Sequence, residues 1–254
     1  MLVGLIAATI WAITYFMNRP EPTPTVANET IERDPNENPT IKDSPETTAN
    51  NSGIEVPPPA REISPPPDST YFENSKQNLS KDLTKNYRGF SLYYPDTWGK
   101  NESNSTFLDI SKKDENGFPE EQMLVTYYPS KGTYDADEAS FPKLVEESNK
   151  ILSDPRKGIP QYQVISEKKV EINNGWKAYE VKFKGRSALE NGENFEIWGK
   201  RIWIPAARPG ETTGFVITML ATSLSDKIES LDDVGVKGEL GDILYTFEPD
   251  REYN

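Results

Sequence analysis

Prolines are distributed very unevenly along this chain of 254 residues, and their distribution limits where it can fold. Twelve of the 21 prolines fall between residues 18 and 85, a stretch with a single glycine and many Thr, Asn, Ser and Glu residues. Proline favours extended geometry and acidic residues repel one another, so this stretch cannot bury a core. We therefore predict a disordered linker over residues 18–85 and a single folded domain over residues 86–254. The Pro triplets at 57–59 and 65–67 have a second interpretation, which is docking to an aromatic groove of another protein.

The chain begins with an uncharged apolar stretch. Residues 1–17 contain 14 hydrophobic residues and are interrupted only by Gly4, Thr9 and Thr14. A helix of this length spans about 25 Å at about 1.5 Å per residue, slightly less than the hydrocarbon core of about 30 Å. The pattern predicts a transmembrane anchor that binds the lipid bilayer. The charges beside it do not decide its orientation, and we expect the domain to lie outside the cytoplasm. A cleaved signal peptide and a buried core helix are the alternatives.

Composition excludes several classes of function. The chain has no Cys and no His, which excludes disulfides, thiolate or imidazole metal sites and the catalytic dyads that need either residue. Its 28 basic and 41 acidic residues give a formal net charge of -13, opposite in sign to that of a nucleic-acid binder. No P-loop, dinucleotide-binding loop or nucleophile elbow is present in the sequence. We therefore predict a protein that is not an enzyme, has no catalytic residues and no cofactor, and binds no nucleic acid.

One acidic cluster bears on metal binding. Asp135, Asp137 and Glu138 are the densest group of carboxylates in the domain. Oxygen-rich groups of this kind bind Ca²⁺, but the turn glycine and terminal bidentate Glu of an EF-hand loop are missing. Acidic residues at the start of a helix are also stabilised by the helix dipole. We predict no metal site, and calcium stays the alternative at this cluster.

From residue 87 onward, apolar and polar residues alternate with the period of half-buried strands. Strands are predicted at residues 90–94, 107–111, 122–128, 161–172, 176–184, 195–204 and 213–222. Asn173-Asn174-Gly175 favours a tight turn, so the strands on either side of it are expected to be antiparallel neighbours. Residues 215–221 are apolar on both faces, which predicts a central strand and helices on both faces of the sheet.

Two segments have helical spacing. Apolar residues from Phe141 to Leu152 form one stripe, and a second stripe from Val236 to Phe247 is weakened by Gly238 and Gly241. The predicted fold class is α+β, with an antiparallel β-sheet of about six or seven strands between helices in an α-β-α sandwich.

The stretch Tyr87–Trp98, with the sequence YRGFSLYYPDTW, resembles the opening of the PsbP-like family, whose domains begin Phe-x-hydrophobic-x-Tyr-Pro-x-x-Trp. Residues 215–223 and 243–247 resemble the last long strand and the closing helix of that family. The resemblance covers residues 86–250 and implies an antiparallel sheet between helices, as in PsbP-like proteins of the photosynthetic lumen, their bacterial relatives and eukaryotic Mog proteins. It also implies a role in protein interaction or membrane-complex assembly, related to photosystem II if the host is photosynthetic.

The residues suggest one contact surface for a protein partner. Trp and Arg are common anchors of interfaces, and Trp198 and Trp203 lie beside Lys200 and Arg201. These four residues also fit the core of a sheet. Two other functions stay open: a carrier of a small molecule or lipid would need an apolar pocket, and a hydrolase would need buried carboxylates with raised pKa values.

Overall fold

The computed structural model describes residues 57–251, apart from 104, 116, 174, 190–191 and 209. The predicted anchor and residues 18–56 of the predicted linker lie outside the described residues. The strands are β1 (Ser69–Asn74), β2 (Phe90–Pro95), β3 (Gly99–Lys100), β4 (Leu108–Lys113), β5 (Pro119–Pro129), β6 (Gln163–Ile172), β7 (Trp176–Ala188), β8 (Asn194–Ile204), β9 (Thr213–Thr222) and β10 (Glu248–Pro249). The helices are α1 (Lys81–Thr84), α2 (Tyr134–Asp137), α3 (Phe141–Leu152) and α4 (Gly238–Thr246).

Seven strands form the main sheet, in the order β3-β4-β5-β9-β8-β7-β6, and all neighbours are antiparallel. Strand β9 is the middle strand, and all ten of its residues are buried. The prediction of a central strand is therefore confirmed. The predicted hairpin is also confirmed, because Ile172 of β6 pairs with Trp176 of β7, and Asn173 and Gly175 have φ angles of 47° and 117° in the turn.

The two faces of the main sheet are covered differently. On the α4 face, Phe215 and Ile217 of β9 pack in one cluster with Leu240 and Ile243 of α4. A small second sheet, in the order β1-β2-β10, contributes to the same cluster. On the α3 face, Phe141 and Val145 of α3 pack in one cluster with Val181 of β7, Trp203 of β8 and Val216 of β9. Helices on both faces agree with the prediction, while the second sheet was not predicted.

The domain begins earlier than the sequence predicted. Strand β1 lies inside the predicted linker and pairs with β2 over six residues. Phe72 of β1 is buried and its ring centroid is 5.7 Å from that of Phe90, while Leu83 of α1 is also buried. The prolines of the linker end at residue 67, and beyond them Phe72 supplies the apolar side chain that a paired strand buries. The predicted boundary at residue 85 is corrected accordingly.

The proline-rich segment before β1 is attached to the end of α4. Arg61 Nε donates a hydrogen bond to Glu248 Oε2 at 3.1 Å, and its Nη2 donates to the carbonyl oxygens of Tyr245 and Phe247 at 2.7 and 3.2 Å. A cation at the carbonyl end of a helix is favoured by the helix dipole. Pro58 lies beside Gly175, so the chain enters the described domain next to the β6–β7 turn.

No helix within residues 57–251 is both long enough and apolar enough to cross a membrane.

Candidate functional site

The four residues predicted to form a contact surface do not share one. Alternation along β8 places Trp198 and Lys200 on the α4 face and Arg201 and Trp203 on the α3 face. Lys200, Arg201 and Trp203 are only 4%, 2% and 3% exposed, and Trp198 is partly buried. Strand β8 lies inside the sheet between β7 and β9, and its side chains are buried by the clusters that pack on the two faces of the sheet. The exposed surface expected at these residues is therefore corrected to an interior position.

Two of these residues hold α3 on the sheet. Arg201 Nε donates to Thr218 Oγ1 at 2.9 Å, and its Nη1 donates to Ser148 Oγ of α3. Burial lowers the pKa of Arg201 to about 10, so the guanidinium stays charged at neutral pH. Trp203 packs in one cluster with Phe141 and Val145 of α3. Arg201 and Trp203 thus position the helix.

Lys200 belongs to a group of three charged residues that joins β6, β7 and β8 on the α4 face. Its Nζ lies 3.6 Å from Glu180 Oε2 of β7, and Lys168 Nζ of β6 lies 3.7 Å from Glu180 Oε1. Burial lowers the pKa of Lys200. A buried ion pair of this kind is costly to break, because one charge would be left without a partner. The group therefore acts in the structure of the sheet.

An open groove lies between α3 and β6 on the α3 face. Its volume is about 420 Å³, within the range of known binding sites. Its lining combines two apolar side chains with five polar ones: Pro142, Val145, Glu146, Asn149, Lys150, Ser153 and Glu167. Six of the seven belong to or directly follow α3, and Glu167 belongs to β6. The groove therefore depends on the helix that Arg201 and Trp203 hold in place.

The second wall of the groove is an edge strand. Within the described part of the chain, β6 is last in the main sheet and pairs only with β7, through nine of its ten residues. An edge strand presents backbone N–H and C=O groups that can pair with another chain. The pairing with β7 has a bulge between Val164 and Ser166, where Ile165 is 45% exposed. Beyond the bulge, residues 166–172 run in regular register.

The charges of the groove are mostly paired. Lys150 Nζ lies 2.7 Å from Glu146 Oε1, and Tyr162 Oη donates to Asn149 Oδ1 at 2.6 Å. Burial raises the pKa of Tyr162 to about 12, so it stays a donor at neutral pH. Glu167 accepts a hydrogen bond from Tyr179 Oη at 3.1 Å, and no ion pair of Glu167 is found among the described residues. The groove therefore presents one carboxylate without a cation.

The acidic residues singled out for calcium are placed differently. Asp137 is buried and accepts hydrogen bonds from Tyr128 Oη and Ser130 Oγ, both at 2.7 Å, while Asp135 and Glu138 are exposed. Asp137 is thus used to fix the loop after β5. Among residues 57–251 with their gaps, no group of three acidic side chains is arranged to hold a metal ion.

A buried carboxylate lies on the α4 face. Burial raises the pKa of Glu121, which accepts a hydrogen bond from Ser225 Oγ at 2.7 Å. The Nζ of Lys112 lies within 4.0 Å of Glu121 and also of Glu120, Asp226 and Glu239. The side chain of Glu121 has no exposed surface. It therefore does not face a substrate, although its pKa shift has the direction expected of a catalytic acid.

No family model matches the chain, and no curated protein matches its sequence. LpqN of Mycobacterium tuberculosis, involved in cell envelope biogenesis, is similar in structure with a TM-score of 0.40 and 18% identity, over 71% of this chain and 91% of LpqN. The Ran-binding protein Mog1p of Saccharomyces cerevisiae and a mutant of Mog1 have a TM-score of 0.34 and 11% identity, over 63% of this chain and 89% of theirs. The fold similarity is weak, and membership of the PsbP-like family stays a prediction.

Proposed function

We propose that this chain is a membrane-tethered domain, displayed outside the cytoplasm, that binds a protein partner and performs no reaction itself. The observation that carries the proposal is the surface formed by α3 and β6, where an open groove lies beside a strand whose outer edge pairs with no strand among the described residues. The apolar residues 1–17 and the proline-rich linker supply the tether, as the sequence predicts. The resemblance to PsbP-like proteins suggests that such binding serves the assembly of a membrane complex.

The shape of the groove favours a polypeptide over a small molecule. Sites for small ligands enclose most of the ligand surface, whereas this groove is largely open to solvent. An extended peptide needs only one wall of backbone groups and a neighbouring depression for its side chains. Both features are present here, on adjacent elements.

Filling the groove tests the proposal directly. Glu146→Trp places a large side chain at the groove, while Lys143→Trp places the same side chain on α3 outside the groove lining. Each substitution also removes one exposed ion pair of α3, Glu146 with Lys150 or Lys143 with Glu147. Both pairs are exposed pairs four residues apart on the same helix, so the two variants lose the same kind of weak interaction and are matched in stability.

The measurement is crosslinking in native membranes followed by purification and identification of crosslinked proteins. We expect a partner that is recovered with the parent chain and with Lys143→Trp, and lost with Glu146→Trp. Equal recovery with both variants would contradict binding at this groove. Recovery of no protein with the parent chain would contradict the function itself.

A further inference from the structure

We propose that the partner contributes an extended segment that pairs with β6 as an eighth strand of the main sheet, with a Lys or Arg side chain beside Glu167 and apolar side chains on the opposite face. The inference rests on the proposed function and specifies how the partner is held and what its segment is made of.

The backbone of β6 is suited to strand addition. Its regular stretch, residues 166–172, is seven residues long, which is a typical length for a strand. Within the described residues, its outer edge pairs with no other strand. Backbone hydrogen bonds provide affinity in this mode of binding, and alternate side chains of the added strand provide selectivity.

The α3 face of the edge selects a basic residue. Glu167 and Lys169 point to this face, because they pair with Val181 and Tyr179 of β7. Lys169 Nζ already lies 4.3 Å from the centre of the Tyr134 ring, whereas Glu167 lines the groove without an ion pair among the described residues. A neighbouring strand places its side chain within about 5.5 Å of Glu167, close enough for an ion pair. The net charge of -13 also favours the approach of a basic segment.

Beyond Lys168, the α4 face of the edge selects apolar residues. Val170 and Ile172 point to this face opposite Ala178 and Trp176, and both are partly buried against the main core. The core therefore ends, at this edge of the sheet, with the partly exposed side chains of these two residues. Apolar side chains on an added strand would extend the core by one strand, which makes burial of apolar area part of the affinity.

Two other occupants fit the edge less well. Two copies of the chain paired antiparallel about the middle of β6 would bring Lys168 opposite Lys168, or Lys169 opposite Lys169, and like charges directly opposite destabilise a sheet. The chain's own residues 18–56 contain three basic and eight acidic residues, so they carry the wrong charge for Glu167.

The first test uses a defined probe, the peptide Thr-Val-Thr-Val-Arg-Val-Thr-Val-Thr, and the same peptide with Glu in place of Arg. Both carry a fluorophore and are titrated with the full chain in detergent micelles. We expect Glu167→Lys to lower the affinity for the Arg peptide about tenfold and to raise the affinity for the Glu peptide. The matched variant Glu171→Lys reverses the same charge on the same face outside the groove lining, and we expect a change below threefold. Equal effects of both variants, or no binding of the Arg peptide up to millimolar protein, would overturn the inference.

The second test asks whether the peptide binds as a strand. Two Arg peptides are N-methylated at alternate amides, the second set shifted by one residue from the first. Strand pairing uses only every second amide of the peptide, so one peptide loses at least tenfold in affinity and the other less than threefold. Equal affinities would overturn strand pairing. If the groove-filling variant still loses its natural partner in that case, the proposed function stands and only the strand mode fails.

The same titrations identify the other occupants. Deletion of residues 18–56 leaves the affinity for the Arg peptide unchanged if the edge is free for a partner, and an increase would show that the chain's own segment occupies it. Light scattering in the same micelles gives the mass of the particle. A dimer that Arg peptide dissociates would show that a second copy occupies the edge. Either result overturns the inference.

Discussion

The substitution Phe72→Ala tests the corrected start of the domain, because the two views of this segment predict opposite outcomes. A residue in a disordered linker contributes almost nothing to stability, so truncation would change the free energy of unfolding by less than about 0.5 kcal/mol. In the structure, Phe72 is 8% exposed and its ring packs against the Phe90 ring. The Nζ of Lys100 lies 5.5 Å from the centre of the Phe72 ring.

The expected magnitude follows from this burial. Truncating a buried Phe to Ala costs about 3–5 kcal/mol, and the position of Phe72 on the outer strand of the second sheet favours the lower end of this range. Tyr71 is the matched control, because it is next in the chain, points to the other face and is 52% exposed. Its ring centroid is 5.2 Å from that of Tyr93, so Tyr71→Ala should cost about 0.5–1 kcal/mol.

The assay is urea unfolding of a chain spanning residues 57–254, followed by tryptophan fluorescence. We expect Phe72→Ala to lower the free energy of unfolding by about 3 kcal/mol, a large part of the total of about 5–15 kcal/mol typical of a domain. The m value should stay unchanged, since the same surface becomes exposed on unfolding. A cost for Phe72→Ala that does not exceed the cost for Tyr71→Ala would refute the placement of β1 in the domain.

Two further predictions concern the main sheet. A Cβ at Gly199 would lie 2.0 Å from the Phe183 ring, so Gly199→Ala should lower the free energy of unfolding by about 1–3 kcal/mol. At Gly99 the nearest atom to an added Cβ is 3.8 Å away, so Gly99→Ala should leave the free energy of unfolding unchanged. Thermal unfolding measures both. The raised pKa of Glu121 means that its carboxyl stabilises the fold below its usual pKa of 4.5, and this contribution is lost as the pH rises through the folded-state pKa. Glu121→Gln should therefore gain stability relative to the parent chain between pH 4 and pH 7, and a constant difference across that range in urea unfolding would contradict this expectation.

The elements of the main sheet were predictable because their residues are patterned locally. Alternation gave β5 to β9 to within a few residues, and the helical stripe gave the bounds of α3. The uniform apolar run 215–221 predicted the middle position of β9, since only a strand buried on both faces has that pattern. Strand β1 was missed because only Phe72 and Asn74 are buried in it, so its six residues lack a clear alternation.

The candidate surface was harder to predict, because it depends on which strand lies at the edge. The sequence placed a contact surface on β8, where Trp and Arg cluster, but packing on both faces of the sheet buries most of these side chains. One signal for the edge was present in the sequence: Glu167, Lys168 and Lys169 put three successive charges on the two faces of β6, and charged side chains, Lys above all, are typical of edge strands. The groove itself requires the packing of α3, a contact between residues far apart in the chain.

The two edges of the main sheet are managed in different ways, and the difference supports a selective role for β6. At one edge, β3 is only two residues long, which leaves little backbone for another chain to pair with. At the other edge, β6 is ten residues long and carries a bulge and two lysines, devices that prevent unselective pairing. These devices leave residues 166–172 regular and leave Glu167 beside the groove, so a strand with the matching charge still fits. Strand addition needs a regular edge of several residues, which β6 offers and β3 does not.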